Sequence, residues 1–402
     1  MENKRVIVFT GHYRHNVGHV CAAEMAAALT ARGFNVEMVD LRLRDHCRAA
    51  QNPDFYKGAF FALGVNNYRA AGFHRLFRYY EQTGCLFVTM LRCNPFENIR
   101  GSCGCSDFLL CRDRSDVASM RKFFVSMGAL LATLPPGASV SPNPLPWEKR
   151  KNEFIHIGDF YDADKEYRQL QTFPQHVRTL VDQIIEFSLP GLQPDTWSAI
   201  SAVLEKRGLK WSEEHVIQEA MLLVYPALNR YVKARRRLSA LQALDAAGIP
   251  VQIWGDGWPD GLFQHHSVHP ARPWDDMIRL IPRFRGLVDL SFMPDSADER
   301  LFAAAINGTA VCAMANPFLQ SDFADGKNMV FYNSPEDLPA RCAWLLENPD
   351  LAQQLAADAI PVTAAKHSWP VRAAYLQSFV EQGRNKYEEQ RLRQAAPPPA
   401  AD

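Results

Sequence analysis

"PDSADERLFAAAINGTAVCAM", residues 294–314, carries a strand end, a loop, a short helix and a second strand, with an Asp-Glu-Arg triplet where loop becomes helix. Ser296 lies three residues before Glu299, the spacing of a capping box in which the hydroxyl takes a first-turn N–H and the carboxylate reaches back. Asn307 and Gly308 supply the stop, because both tolerate the left-handed conformation that ends a helix. Leu301, Phe302, Ala305 and Ile306 form an apolar stripe between start and stop. Arg300 is left over. A helix N-terminus that follows a strand of a parallel sheet has free N–H groups and a positive dipole end, which favour an anion such as phosphate.

Outward from this stretch, strands and helices alternate. "RVIVFTG", the loop "GHYRHNVGH", the helical "VCAAEMAAALTARG" and "NVEMVDL" make a βαβ unit at the start of the chain, with ligand-facing loops expected at the strand C-termini. "CLFVTML", "SDFLLC" and "GALLATLP" read as further strands, and this unit closes near residue 140. "PPGASVSPNPLPWEKRKN" holds neither period and reads as a linker. "EFIHIGD" opens a second unit, interrupted by a mostly helical stretch at about 163–247 and resumed at "VQIWG". The expected division is 1–145, 146–375 with the insertion, and 376–402 as a C-terminal helix with a Pro/Ala tail too poor in apolar residues to pack.

The chain has 402 residues, 47% of them hydrophobic, more than one core usually serves, so two domains are expected. Lys plus Arg and Asp plus Glu both number 44. That balance removes the bulk electrostatic case for a nucleic-acid partner, though not for a local basic site. No apolar run approaches the roughly 18 residues of a membrane span, and the N-terminal run is too short for a secretory signal. A cytoplasmic protein is expected. "FHRLFRYY" at 73–80 leaves peripheral contact with the inner face of a membrane open, although burial against the first sheet is the safer reading.

Nine cysteines in a chain of this kind argue for reduced thiols. Cys93, Cys103, Cys105 and Cys111 cluster but lack the paired C-x2-C knuckles of structural zinc sites, so partly buried thiols around a Gly-rich turn are favoured over a metal. "KARRR" at 233–237 is either a phosphate-binding patch or, more commonly on a helix, a solvated face.

"VQIWGDGW", "DERLFAAAINGTAV", "FADGKNMVFYNSPEDLPARCAWLLENP" and "KHSWPVR" follow one another in an order that resembles the C-terminal half of GT-B glycosyltransferases of the group-1 and spore-maturation-protein type. The resemblance implies an α/β architecture of two Rossmann-like domains facing a cleft, with the last helix crossing back to the first. A nucleotide-sugar donor would lie mainly against the second domain and a protein, glycan or lipid-linked acceptor against the first, with no metal or other cofactor required. The chain departs from the pattern at Ala303, where many relatives carry a Glu that bonds the donor ribose. Glu299 lies one turn earlier on the same face, about 6 Å away.

The donor candidates are therefore Gly18, Gly255, Trp258, His269, Arg272, Asp295, Glu299, Arg300 and Gly308. Gly255 and Gly257 in "WGDGW" serve a tight turn or direct nucleotide contact with equal force. His12, His15 and His19 stand in the first βα loop, where one histidine would be suited to take a proton from the acceptor. A nucleotide-sugar epimerase on the same fold and a non-catalytic binding protein descended from such enzymes are the rivals.

Overall fold

A computed structural model describes residues 4–66, 83–92, 94–95, 108–123, 130–189, 195–209 and 215–395. The first domain runs β1 (Arg5–Thr10), α1 (Val17–Ala31), β2 (Asn35–Asp40), α2 (Arg44–Ala50), β3 (Ala59–Val65), β4 (Leu86–Met90), β5 (Phe108–Cys111), α3 (Arg114–Phe123) and β6 (Leu130–Thr133). The second opens on β7 (Lys151–Ile157), and an insertion follows of α4 (Ala163–Leu170), α5 (Gln175–Ser188), α6 (Thr196–Lys206) and α7 (His215–Ala246). It resumes with β8 (Val251–Trp254), β9 (Ser267–His269), α8 (Trp274–Leu280), β10 (Phe284–Asp289), α9 (Glu299–Ile306) and β11 (Ala310–Met314). It closes with α10 (Pro317–Gln320), β12 (Val330–Tyr332), α11 (Leu338–Glu347), α12 (Pro349–His367) and α13 (Trp369–Ala395).

Each domain holds a six-stranded parallel sheet, ordered β2-β1-β3-β4-β5-β6 in the first and β12-β11-β10-β7-β8-β9 in the second. Strand order reverses between β1 and β3 and again between β7 and β10. In open parallel sheets the ligand crevice lies outside the strand C-termini at such a reversal. Here the two crevices face each other. β3, "AFFALGV", is buried along its whole length, so it shows no two-residue alternation, and periodicity alone passes over it.

The insertion does not stand apart as a helical appendage. Its residues Val181, Ile184, Ile200, Val224 and Leu228 share one core with Leu91, Leu109, Val117 and Met120 of the first domain. It thereby bridges the two sheets on one side of the cleft. Helix α13 bridges them on another. Trp369, Ala373, Leu376 and Val380 are buried in the first domain's core beside Val6, Leu63 and Leu86.

The capping box expected at Ser296 is not what starts α9. Asp298 is the N-cap, its Oδ1 accepting from the Glu299 amide at 2.8 Å. Ser296 instead donates its hydroxyl to the Arg112 carbonyl at 2.5 Å, across the cleft. A hydroxyl can serve either purpose, and sequence spacing does not register a partner 184 residues away. The expected stop is present, with Gly308 at φ +66. Asn307 does more than end the helix, because its side chain donates to the Ser139 carbonyl at 3.0 Å and accepts from the Ser141 amide at 2.8 Å, fixing the linker.

Among the described residues no helix is long and apolar enough to cross a membrane. Segment 73–80 and Cys93, Cys103 and Cys105 lie outside the described residues. Cys111 is buried at the end of β5, with its Sγ 3.8 Å from the Met120 sulfur.

Candidate functional site

A cavity of about 320 Å³ occupies the cleft where the two strand-order reversals meet. Three walls enclose it. The first domain contributes His15 after β1, Arg92 after β4 and Arg112 after β5; the insertion contributes Asn229, Arg230, Lys233 and Arg237 from one face of α7. Residues three and four apart on a helix lie on one side, so this spacing aims all four at the cavity. The second domain contributes Gly158 and Asp159 after β7, Trp254 after β8, Arg272 and Trp274, and Asp298, Glu299 and Arg300 at the start of α9.

"KARRR" is therefore no solvated face. Lys233 and Arg237 line the cavity, and Arg236 is 7% exposed and donates to the Ser188 carbonyl. Only Arg235 faces outward, pairing with Asp164 at 3.1 Å. The docking of the insertion against the first domain turned the helix this way, a long-range effect that local charge density does not encode.

At the head of α9 one carboxylate holds several cations. Asp298 Oδ2 lies 2.7 Å from Arg300 Nη2 and 3.8 Å from Arg112 Nη1. Burial opposes its charge, yet Arg300, Arg112 and Arg92 together bring its pKa down to about 2. Arg300 also donates to the Ile157 carbonyl. Glu299 forms an ion pair with Arg92 of the other domain, both side chains nearly enclosed. Ala303 is fully buried in the core beside Phe302 and Leu301, away from the cavity lining. On this helix Glu299 is the carboxylate that faces the cavity.

His15 is the histidine of its loop that reaches the cavity. It has φ +51 and Asn16 has φ +59, two left-handed residues in succession, a conformation that persists only where surrounding contacts hold it. Its Nε2 lies 3.0 Å from Asp159 Oδ2, across the cleft. Burial works against the Asp159 charge, but the Asp256 amide at 2.8 Å, His15 and Arg14 keep its pKa below the ordinary value. His19 is bonded to Thr10 Oγ1 at 2.9 Å, and His12 is exposed and outside the lining.

His15, Asp159 and Asp256 place a nitrogen and two carboxylates within 4.8 Å of one another, the only such metal-ligand group among the described residues. Asp159 already accepts from His15, from Arg14 at 3.0 Å and from the Asp256 amide, so its lone pairs are engaged.

The remaining candidates separate by packing. A Cβ on Gly255 would stand 2.0 Å from the Gly158 carbonyl oxygen, so Gly255 lets two strand ends approach, and it does not line the cavity. Trp258 donates its Nε1 to that same carbonyl at 2.9 Å from within the core. Gly18 lies under the Tyr13 ring, which a Cβ would meet at 2.5 Å. Gly308 ends α9 at the far end from the cavity. Asp295 faces Arg114 at 3.9 Å, outside the lining. His269 stacks on Trp254 at 4.4 Å and Arg272 lies over the same indole at 4.8 Å, so of these Arg272 reaches the cavity. Arg92, Arg112 and Asp159 escape sequence reading because none belongs to a local pattern; each lies just past a strand, and position relative to those ends was the available signal. Asp298 stands in the Asp-Glu-Arg triplet, but the sequence reading passes over it in favour of its two neighbours.

The motif "KHSWPVR" joins the domains. His367 stacks on Phe302 at 4.4 Å, Arg372 donates to the Pro136 carbonyl at 3.2 Å, and Trp369 packs so close to Gly137 that a Cβ there would stand 2.3 Å from the indole.

Residues 235–378 match the family described as "Glycosyl transferase-like". No curated protein matches the chain in sequence. An alpha-glucosyltransferase solved with UDP-glucose and DNA containing an abasic site is 9% identical, with a TM-score of 0.54 over 94% of this chain and 99% of that one. A glycosyltransferase from Rickettsia africae is 9% identical over 95% and 99% of the two chains, with a TM-score of 0.49. Sucrose-phosphate synthase from Thermosynechococcus elongatus is 12% identical over 94% and 98%, with a TM-score of 0.48. The chain has the GT-B fold, two parallel-sheet domains with helical decoration facing a cleft.

Proposed function

We propose that the protein is a glycosyltransferase that moves a sugar from a nucleotide-sugar donor to a protein, glycan or lipid-linked hydroxyl acceptor. The observation that carries this reading is the cavity at the two facing strand-order reversals. Its lining holds seven Lys and Arg side chains against three carboxylates. Such a surplus in a partly enclosed site favours an anion, and a leaving nucleoside diphosphate is one.

In this reading Arg300 and the head of α9 face the donor diphosphate, and Arg272, backed by the Trp254 indole, offers a planar cationic surface for the base. The bond from the anomeric carbon to the diphosphate oxygen breaks, the diphosphate departs with the electron pair, and the acceptor oxygen bonds to that carbon. The acceptor hydroxyl loses its proton to His15, whose imidazole Asp159 orients. The family match over residues 235–378 supports the donor side of this assignment. The expected location is cytoplasmic.

A thermal-shift screen of nucleotides and nucleotide sugars tests it, because a ligand of the native state must raise the melting temperature. Absence of any shift would sink the transferase reading. Donor turnover without an acceptor would make the protein an epimerase, and binding without turnover a binding protein.

A further inference from the structure

Helix α7 reaches the cavity from the insertion, which belongs to neither sheet. Arg237 Nη1 donates to the Asp159 carbonyl at 3.0 Å, so the guanidinium is held at the end of β7. A Cβ placed on Gly158 would stand 3.6 Å from Arg237 Nη1 and 3.4 Å from Arg300 Nη1. Two guanidinium groups thus converge on the Gly158 backbone, beside the His156 Nε2, which would stand 3.0 Å from that Cβ.

Like charges held together in an enclosed place repel unless something negative joins them. Among the described residues no carboxylate lies within ion-pair distance of Arg237. Asp298, which serves Arg300, is already shared with Arg112. The nearest aromatic support for Arg237 is the Tyr161 ring at 5.9 Å. The Nε atoms of Arg237 and Arg300 are both buried without a hydrogen-bond partner. Burial, followed by the neighbouring Arg300 charge, lowers the Arg237 pKa to about 10, which still leaves it cationic at neutral pH.

We propose that Arg237, supplied by the helical insertion, is a phosphate-binding residue that works as a pair with Arg300, so that the donor site is complete only with the insertion docked. This rests on the transferase reading and adds to it a residue outside the sheet domains. The pair matches an extended anion with charge on two neighbouring phosphates.

The alternative is that Arg237 only tethers the loop after β7. Titration of the full chain with inorganic pyrophosphate and with UDP, GDP and ADP separates the two, comparing wild type with Arg237→Met, Arg300→Ala and, as a control on the same helix, Arg235→Ala. The expected result is at least a fivefold loss of affinity for the diphosphate that binds wild type in both Arg237→Met and Arg300→Ala, and no change in Arg235→Ala. The melting temperature of ligand-free Arg237→Met should equal or exceed that of wild type, since an enclosed charge that Asp298 and Asp289 favour only from beyond ion-pair distance is gone; a mere tether would lower it. A loss under fivefold in Arg237→Met overturns the proposal, and does so alone if Arg300→Ala still loses binding. If wild type binds none of the four probes, the transferase reading falls and takes this proposal with it. Should Arg237→Met fail to fold, Arg237→Gln is judged by the same fivefold threshold.

Discussion

Arg92 and Glu299 form an ion pair across the cleft, one from the end of β4 in the first sheet and the other from the first turn of α9 in the second, with side-chain exposures of 7% and 11%. Neither charge has much water to turn to if its partner is removed. A buried pair broken from one side leaves an unpaired enclosed charge, which costs about 3–5 kcal/mol. Glu299→Gln should therefore lower stability by about 3 kcal/mol in urea unfolding. The double variant Arg92→Met/Glu299→Gln should recover part of that loss, because no charge is then stranded. Additive losses in the double variant would mean the pair is not coupled.

The His15 and Asp159 contact makes a prediction of a different kind. If His15 takes the acceptor proton, His15→Ala should lower turnover by roughly 10²- to 10⁴-fold, the usual range for a general base. Donor affinity should stay within about threefold, since the phosphate-facing cations belong to other residues. Asp159→Asn should lower turnover less, because the amide oxygen can still orient the ring while losing the charge that favours imidazolium. Comparable turnover in wild type and His15→Ala under single-turnover conditions would remove His15 from the chemistry.

What could be read from sequence divides along a physical line. Alternating strands and helices, the linker and the insertion are encoded by periodicity and composition over ten or more residues, and most of both sheets follows from them, β3 excepted because it is buried along its whole length. The cleft is encoded by contacts between residues more than a hundred positions apart. Ser296 has the spacing of a cap but bonds to Arg112, and Asp298 takes its place. Gly255 and Gly18 carry the signature of ligand-approach glycines, but what approaches each is protein: the Gly158 carbonyl and the Tyr13 ring. Arg237 stood in a run of charge that looked solvated until the insertion docked. Within the triplet that opened the reading, Glu299 and Arg300 do line the cavity, because a helix start at a parallel-sheet edge has few other places to face.

Two buried histidines contribute to the acid side of the stability profile. His156 is fully buried, its Nδ1 donating to the Val288 carbonyl at 3.1 Å, and burial with the Arg237 and Arg300 charges drives its pKa well below 6.5. Burial and Arg372 bring His367 to about 3 against the pull of Asp322. Both are neutral when folded and titrate near 6.5 when unfolded, so the unfolded state takes up protons first as pH falls. Stability is full above about pH 6.5 and declines below it by about 1.4 kcal/mol per pH unit for each ring, until the folded pKa is reached. Asp298 adds nothing in that range, because its depressed pKa places its loss between about pH 4 and 2. Urea unfolding at several pH values between about 6.5 and 5 should show this contribution, and His367→Phe, which keeps the stack between Phe302 and Phe323, should lower the slope by about 1.4 kcal/mol per pH unit. An unchanged slope in that variant would assign the proton uptake elsewhere.

Gly255 and Gly257 sit two residues apart in "WGDGW", and substitution should separate their roles. In Gly255→Ala the new methyl would meet the Gly158 carbonyl oxygen at 2.0 Å and the Asp159 nitrogen at 2.9 Å, both backbone atoms that cannot swing aside. The end of β7 must move, which should cost about 1–3 kcal/mol as overpacking does. The displaced residues are Gly158, before which Arg300 stands, and Asp159, which orients His15. Diphosphate affinity and turnover should therefore fall together with stability. Gly257 has φ +82 but open space, its nearest neighbour 3.8 Å away, so Gly257→Ala should carry only the left-handed strain of about 1–2 kcal/mol. Its diphosphate affinity should match wild type once the comparison is made well below its melting temperature. Equal affinity in both alanine variants would show that the β7 end tolerates displacement and that the cavity does not depend on the close approach Gly255 permits.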